Sequence, residues 1–408
     1  MHENLTARRV RAVAEKLIDQ RAARTIVAPY EDGDGFWFGG GSLTAGPGVF
    51  GGPDSNGGRG GAGGPGGHGG SGGKLYLTGR YRNRGDSRTG LAMGARGLEL
   101  AVFESGDGGA TFEKILSFAK KDLVPESSPG SEPAGFEDTD VLSIEGSALQ
   151  FTGEGVELYV SSEKSGIPYP GEVESFQKPG TGVWGIDIIT ADTVEGLGKA
   201  PVVPLIYSDE PEHLHIKDPV VHRSSRGETV LIFCHHPFSW SSSNSAYCIR
   251  SRGERRFSEP DYEFFPRGST WDVAVSRITD VLTMPAELIG VDSGESTVQA
   301  VFYDGAECMR PHDQNPKGVD RPRGFSCEEI AGLALYSDDA VGQIRRVSTT
   351  LPLFTSPWGT GSCRYIHTCA TEDGVFAAWQ QSRESGAQPL VLNFLDWKTI
   401  GKVAREVE

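Results

Sequence analysis

Three carboxylates stand at the head of short apolar runs: Glu145 in "EGSA", Asp218 in "KDPV" and Asp272 in "WDVA". Two runs of similar form lack one, "GGGS" near the N-terminus and "SCRY", where an uncharged position lies beside Arg364. If these runs are inner strands around one channel, the matching positions converge and three carboxylates meet. Like charges in a partly dry funnel push one another's pKa upward. Cleavage of a glycosidic bond uses such a split, with one carboxyl held protonated and another ionised as base or nucleophile. The expected roles are Glu145 as general acid, Asp272 as base or nucleophile, and Asp218 as modulator and sugar ligand; the first two roles could be exchanged. The competing structural reading has each carboxylate capping its own strand or pairing with an arginine.

Side chains near the same strand ends suit a sugar. Trp37, Trp240, Trp271 and Trp358 offer flat apolar faces, and His215, Lys217, His235, His236, Arg277, Arg364 and His367 offer hydrogen bonds to hydroxyls. In "HHPFSWSSSN" polar and aromatic residues crowd a strand end where core would otherwise be expected. "GRYRNRGDSR" adds Arg80, Arg82, Arg84 and Arg88 to an acidic chain. Guanidinium forks of this kind match a carboxylated sugar, although a solvated face explains them too.

Positioning such residues requires many short strands. From residue 25 to the end, runs rich in Val, Ile, Phe, Tyr and Trp alternate with Gly, Pro, Asp and Ser clusters. "KLYLTGRYR", "VELYVSSEK", "ETVLIFCHH", "TVQAVFYDG" and "GVFAAWQQS" share one form, and each follows a shorter apolar segment. Radial repetition of such units is how a β-propeller avoids exposed edges. The expected fold is all-β, a single five-bladed β-propeller over residues 25–408, with an N-terminal α-helix over 1–24 carrying Val10, Val13, Ala14, Leu17 and Ile18 on one stripe. That stripe would pack on the body or on a second subunit, giving a homo-oligomer. "SGDGGATF", residues 105–112, fits the Asp-box pattern S-x-D-x-G-x-T-F and is expected to be a structural turn.

Composition narrows the partners. A net charge of −16 opposes phosphate backbones, so nucleic acid is not expected. No apolar run is long enough to cross a bilayer, and the charged N-terminus lacks a leader layout, which favours a cytoplasmic protein. The 6 cysteines are scattered and suggest buried thiols rather than a zinc site or disulfide framework. The glycine-rich stretch 51–73 is followed at Lys74 by a strand, not a helix, so it reads as a loop over one face rather than a phosphate cradle. No cofactor is expected; a structural calcium ion in the channel is compatible with the fold.

"KDPVV" resembles the [RK]-D-P motif, and "IEGSAL" the G-S-A segment, of two groups of five-bladed propeller glycosidases, the invertase/levansucrase group and the arabinanase/xylosidase group. The resemblance implies a glycoside hydrolase in which Asp218 orients the sugar and tunes the acid while a carboxylate on another blade attacks or activates water. Those families place that carboxylate on the first blade, where this chain has "GGGS", with Asp32 and Asp34 upstream. The Asp box points instead to sialidase-like proteins, whose chemistry uses an arginine triad, a Tyr–Glu pair and an acidic Asp; "CRYIH" offers Arg364 and Tyr365. A uronate-directed enzyme, including a polysaccharide lyase, and a non-catalytic propeller that binds glycans or proteins are the other readings.

Overall fold

The computed structural model describes residues 4–47, 73–84, 97–125, 139–238, 242–290, 297–306, 310–311, 319–321, 325–327, 330–336, 343–356 and 363–407. Trp240, Trp358, Arg88 and most of the glycine-rich stretch lie outside them. Asn4 opens helix α1 (Leu5–Leu17), its side chain accepting from Ala7 N at 2.8 Å. Strand β1 (Arg24–Val27) follows.

Antiparallel four-strand units then recur along the chain. In the first, β2 (Trp37–Gly39) and β3 (Leu43–Ala45) share the place of one strand beside β4 (Leu75–Arg82), with β5 (Glu99–Ser105) and β6 (Glu113–Ala119) outside. The second runs β7 (Val141–Phe151), β8 (Val156–Lys164), β9 (Val183–Ala191), β10 (Val202–Ile206). The third runs β11 (His215–Arg223), β12 (Thr229–His236), β13 (Asn244–Arg250), β14 (Asp261–Phe265). In the fourth, β15 (Val275–Pro285) and β16 (Thr297–Ala306) are followed by a small separate sheet of β17 (Arg310–Pro311), β18 (Val319–Arg321) and β19 (Phe325–Cys327). The unit resumes with β20 (Ile330–Tyr336) and β21 (Arg345–Arg346). The last unit is β22 (Cys363–Ala370), β23 (Gly374–Gln381) and β24 (Leu390–Asp396), completed on its outer edge by β1 from the N-terminus. A single parallel pairing, Ile330 with Cys363, joins the fourth and last units.

The inner strands are buried on both faces: β8 and β12 are buried at every position, which in β12 leaves the apolar run Val230 to Cys234 and in β8 sets polar side chains inside the body. Leu100 and Val102 of the first unit pack with Leu149 and Leu158 of the second. Tyr159 and Ile186 pack with Leu231 and Phe233 of the third, and Val220 and Ile232 with Val301 and Tyr303 of the fourth. Leu282 and Phe302 meet Ile366 and Trp379 of the last unit, whose Ala378 and Leu390 return to Phe38 and Leu77 of the first. The first strands likewise touch in a closed circuit: β3 with β7, β7 with β11, β11 with β15, β15 with β22, and β22 with β3.

The chain is thus predominantly β, as expected, but a second helix, α2 (Trp397–Arg405), ends it. At 9 residues it is too short to impose a helical period on the sequence; Asp396 caps it, accepting from Thr399 N at 2.8 Å. The stripe of α1 is covered within this chain: Val10, Val13, Ala14 and Leu17 share a core with Ile400 and Ala404 of α2. The turn at 105–112 is closed by side chains, with Ser105 Oγ accepting from Gly109 N at 2.9 Å and Asp107 Oδ1 from Thr111 N at 2.9 Å. Among the described residues no helix is long and apolar enough to cross a membrane.

Candidate active site

The first strands share a local irregularity that positions the site. Regular pairing breaks between Ile144 and Ser147 on β7, between Lys217 and Val220 on β11, between Ile278 and Asp280 on β15, and between Arg364 and His367 on β22. In the first unit the chain leaves β2 at Gly39 and re-enters as β3 at Leu43. A bulge re-aims the residues it displaces. Here those are Gly40 and Gly41, Glu145 and Gly146, Asp218 and Pro219, Thr279, and Tyr365 and Ile366.

Two of them are strained. Asp218 (φ 55°) and Tyr365 (φ 51°) are the non-glycine residues with left-handed backbone among the described residues. Such a conformation persists only where neighbours enforce it. Asp304 on β16 holds Tyr365, each of its carboxylate oxygens accepting from Tyr365 N at 3.2 Å. Ser161 Oγ accepts from Asp218 N at 3.2 Å. Gly146 leaves room for this loop, since a Cβ there would sit 2.6 Å from Asp218 Cα.

Around Tyr365 the groups interlock. Its hydroxyl donates to Glu145 at 3.4 Å, and Glu145 also accepts from Arg80. Arg277 donates to Asp218 at 3.3 Å and to Asp304 at 2.7 Å, with its guanidinium 4.2 Å from the Tyr365 ring centre. Arg364 lies 5.3 Å from the same ring and 4.1 Å from that of Trp37, which carries Arg82 at 3.6 Å. The Gln380 amide, turned so that its oxygen faces Arg364, accepts from Nη2 at 3.0 Å and Nε at 3.2 Å. Burial, with Arg277 and Arg80 nearby, lowers the Arg364 pKa to about 10. Burial raises that of Tyr365, so its phenol stays protonated until a base takes the proton. Asp304 is also raised by burial, against the pull of Arg277. Glu145 is the more open carboxylate, its side chain 18% exposed against 5% for Asp218.

Of the expected carboxylates, Glu145 and Asp218 therefore occupy matching places, but Asp272 does not. It precedes β15 and accepts from Arg346 at 2.6 Å, and the bulge on that strand falls at Thr279. The apolar residues of "WDVAV" resemble a strand start, and nothing in "SRITD" advertises a bulge. Trp271 is likewise a core residue, bonded through Nε1 to Ser348 O at 2.9 Å and stacked on Tyr303. Trp37, Arg80, Arg277 and Arg364 join the cluster. Lys217 lies over Trp184 at 4.9 Å, and buried His215 meets the Tyr169 hydroxyl at 3.2 Å. His236 and Asp218 both contact the Cys234 thiol, each at 3.4 Å. His367 lines a small cavity with Asp218, Thr279 and Tyr365. Tyr365, weighed only in passing from the sequence, and Asp304, not singled out, emerge as central.

His235 lies in a separate pair. Its Nε2 faces the Tyr262 carbonyl at 3.3 Å and so carries the hydrogen, which leaves Nδ1 to accept from His213 Nδ1 at 3.0 Å. Burial, with His213 adding to it, lowers the His235 pKa to about 4. A group held neutral in this way contributes stability that is full above the unfolded value near 6.5 and is lost as pH falls toward 4. Urea titrations at pH 7 and pH 4.5 should show His235 accounting for about 2 kcal/mol of the loss, at about 1.4 kcal/mol per pH unit. A His235→Gln variant with the same pH dependence as the parent would contradict this.

No protein-family model and no curated protein matches the chain. Solved structures do. It is similar to the GH43_1 enzyme from Xanthomonas citri (TM-score 0.47, 11% identity, 95% of this chain and 93% of that one). It is also similar to CoXyl43, a β-xylosidase/α-arabinofuranosidase from a compost microbial metagenome (0.48, 9%, 91% and 95%). A third is an endo-arabinase from Bacteroides thetaiotaomicron (0.45, 12%, 79% and 89%). Likeness this distant bears on neither substrate nor mechanism.

Proposed function

We propose that residues 25–408 form a five-bladed β-propeller and that the protein is a glycoside hydrolase whose reacting groups are Tyr365, Glu145 and Asp218. The observation that carries this reading is the pair of strained residues, Asp218 and Tyr365, at matching bulges and bridged by Arg277. Strain enforced at two ionisable side chains in one cluster is more economically explained by chemistry than by packing. The Tyr365 hydroxyl already donates to Glu145, so Glu145 accepts the phenolic proton as the oxygen bonds to the anomeric carbon. As the glycosidic C–O bond breaks, Asp218 donates a proton to the leaving oxygen. Water then attacks the anomeric carbon, giving its proton to Asp218, and Tyr365 leaves with the proton returned by Glu145.

The small cavity bears on the question of calcium. Asp218 Oδ1, Thr279 Oγ1 and His367 Nε2 line it without a hydrogen-bond partner, and at about 10 Å³ it has room for roughly one water. One carboxylate, one hydroxyl and one imidazole fall short of the six to eight oxygens calcium takes. Among the described residues no set of three His, Cys, Asp or Glu side chains could hold a metal. The residues present do not fit a protein cage for calcium.

The test is release of phenol from a panel of aryl furanosides, pyranosides and uronides by the intact protein. Turnover of at least one, lost in Glu145→Gln, is the expected result. No release from any member would overturn the reading and favour a binding propeller.

A further inference from the structure

Asp218 is held differently at its two oxygens. Oδ2 accepts from Arg277 Nη1 at 3.3 Å and faces the Cys234 sulfur at 3.4 Å, whereas Oδ1 meets no hydrogen-bond partner. Cys234 is placed by register: on β12 it pairs with Lys217, the last regular pair before the chain lifts away at Asp218 and Pro219. Its side chain is fully buried, and burial, with the Asp218 charge adding to it, raises its pKa well above the usual thiol value. Cys234 therefore keeps its hydrogen and has it to give. His236, two residues on and so on the same face of the strand, sets its Nε2 3.4 Å from the same sulfur. With the thiol hydrogen directed at the carboxylate, the sulfur is left to accept from His236 Nε2–H.

Sulfur suits this place. A donor to a carboxylate favours the ionised form, the more so the stronger the donor. An S–H group is a weak donor, so it orients the carboxyl with little pull against its proton. Oδ2, accepting from both Arg277 and Cys234, is the oxygen that stays bare, and the proton is carried on Oδ1. Apart from Lys217 beside it in sequence and His236 on β12, the charged or titratable groups facing Asp218 come from other units: Arg277 of β15, Tyr365 and His367 of β22, and Arg80 of β4 with its partner Glu145 of β7. A change at position 234 leaves all of these in the chain. We propose that Cys234 is a positioning residue for the acid, turning the Asp218 carboxyl through a weak S–H···O contact so that its proton is presented on Oδ1. The inference rests on the glycosidase reading for what that proton does, while the contact between thiol and carboxyl stands apart from it.

The S–H stretching band of the intact protein, identified among those of the 6 cysteines by its loss in Cys234→Ala, tests the contact directly. It should move to higher frequency as pH falls and Asp218 takes up a proton, since a neutral acceptor is the weaker one, and should ignore pH in Asp218→Asn. If Cys234→Ala fails to fold, the difference between parent and Asp218→Asn identifies the band. A band that ignores pH in the parent, or moves equally in Asp218→Asn, would overturn the inference. The pH profile of kcat/KM tests the consequence. In Cys234→Ser a stronger donor stabilises the carboxylate, so the basic limb should shift down by about one pH unit; in Cys234→Ala, with the donor gone, it should shift up by a similar amount. For a dinitrophenyl glycoside, whose leaving group needs no proton, neither shift should appear. Two variants that lose thermal stability yet keep the parent's limb would reduce Cys234 to packing, which overturns the inference and leaves the hydrolase standing. A band that titrates as expected, without turnover of any glycoside, would keep the contact and overturn the hydrolase.

Discussion

Tyr365→Phe should lower kcat by about a thousandfold or more while leaving the thermal midpoint nearly unchanged. The substitution removes one oxygen. The ring stays beneath Arg277 and Arg364, and the backbone nitrogen that Asp304 holds is untouched, so the left-handed conformation keeps its support. Glu145 retains Arg80 as a partner, and no buried charge loses its counter-ion. A thousandfold corresponds to about 4 kcal/mol of transition-state stabilisation, far above what loss of one hydrogen bond would take from folding. Two readouts separate the roles. If Tyr365 forms the bond to the sugar, wild-type protein trapped with a slow fluorinated substrate carries the added mass on Tyr365, and the Phe variant carries none. A Phe variant that keeps more than a tenth of the activity would reduce Tyr365 to a positioning residue and return the nucleophile's role to a carboxylate or water.

How far the sequence reaches toward this site depends on what each feature leaves as a pattern. Strands of this kind leave clusters of aromatic and β-branched residues bounded by turn residues, which is why the second strand of every unit, from "KLYLTGRYR" to "GVFAAWQQS", stands where that pattern placed it. A charge set into such a cluster is conspicuous, and so Glu145 and Asp218 could be found. Bulges leave no mark of their own. The alignment of "WDVAV" with "KDPVV" follows composition, whereas the register of the fourth unit is set by the break at Thr279, several residues further on. Asp304 was hidden for a related reason: in "VFYDG" it looks like the polar end of a strand, and its importance comes from Arg277 across the sheet, paired with it in register. Tyr365 in "CRYIH" reads as one more aromatic in a strand until its backbone angle is known. The closing of the last unit by β1 was equally silent, because pairing between the two ends of a chain is a fact about distance in space.

Asp218→Asn should cost about as much activity as the loss of Tyr365, but with a dependence on the leaving group that identifies what Asp218 does. Asparagine tolerates the left-handed region better than most residues, so the backbone at this bulge need not move. Its amide oxygen can still accept from Arg277 and from the Cys234 thiol, which leaves both neighbours bonded. What is removed is the ability to give and take a proton. For alkyl and simple aryl glycosides, whose leaving oxygen needs protonation, kcat/KM should fall by about a thousandfold. For a dinitrophenyl glycoside, which departs as a stable anion, the fall should shrink to about tenfold. Asp218→Ala should show the same contrast at lower stability, because alanine at positive φ is strained and Arg277 loses its bond to the Asp218 carboxyl. Were Asp218 solely a support for Arg277, the loss would be uniform across leaving groups and would track the stability of the two variants. A uniform loss would thus move the proton-donating role to Glu145, the more open carboxylate, and leave Asp218 as its modulator.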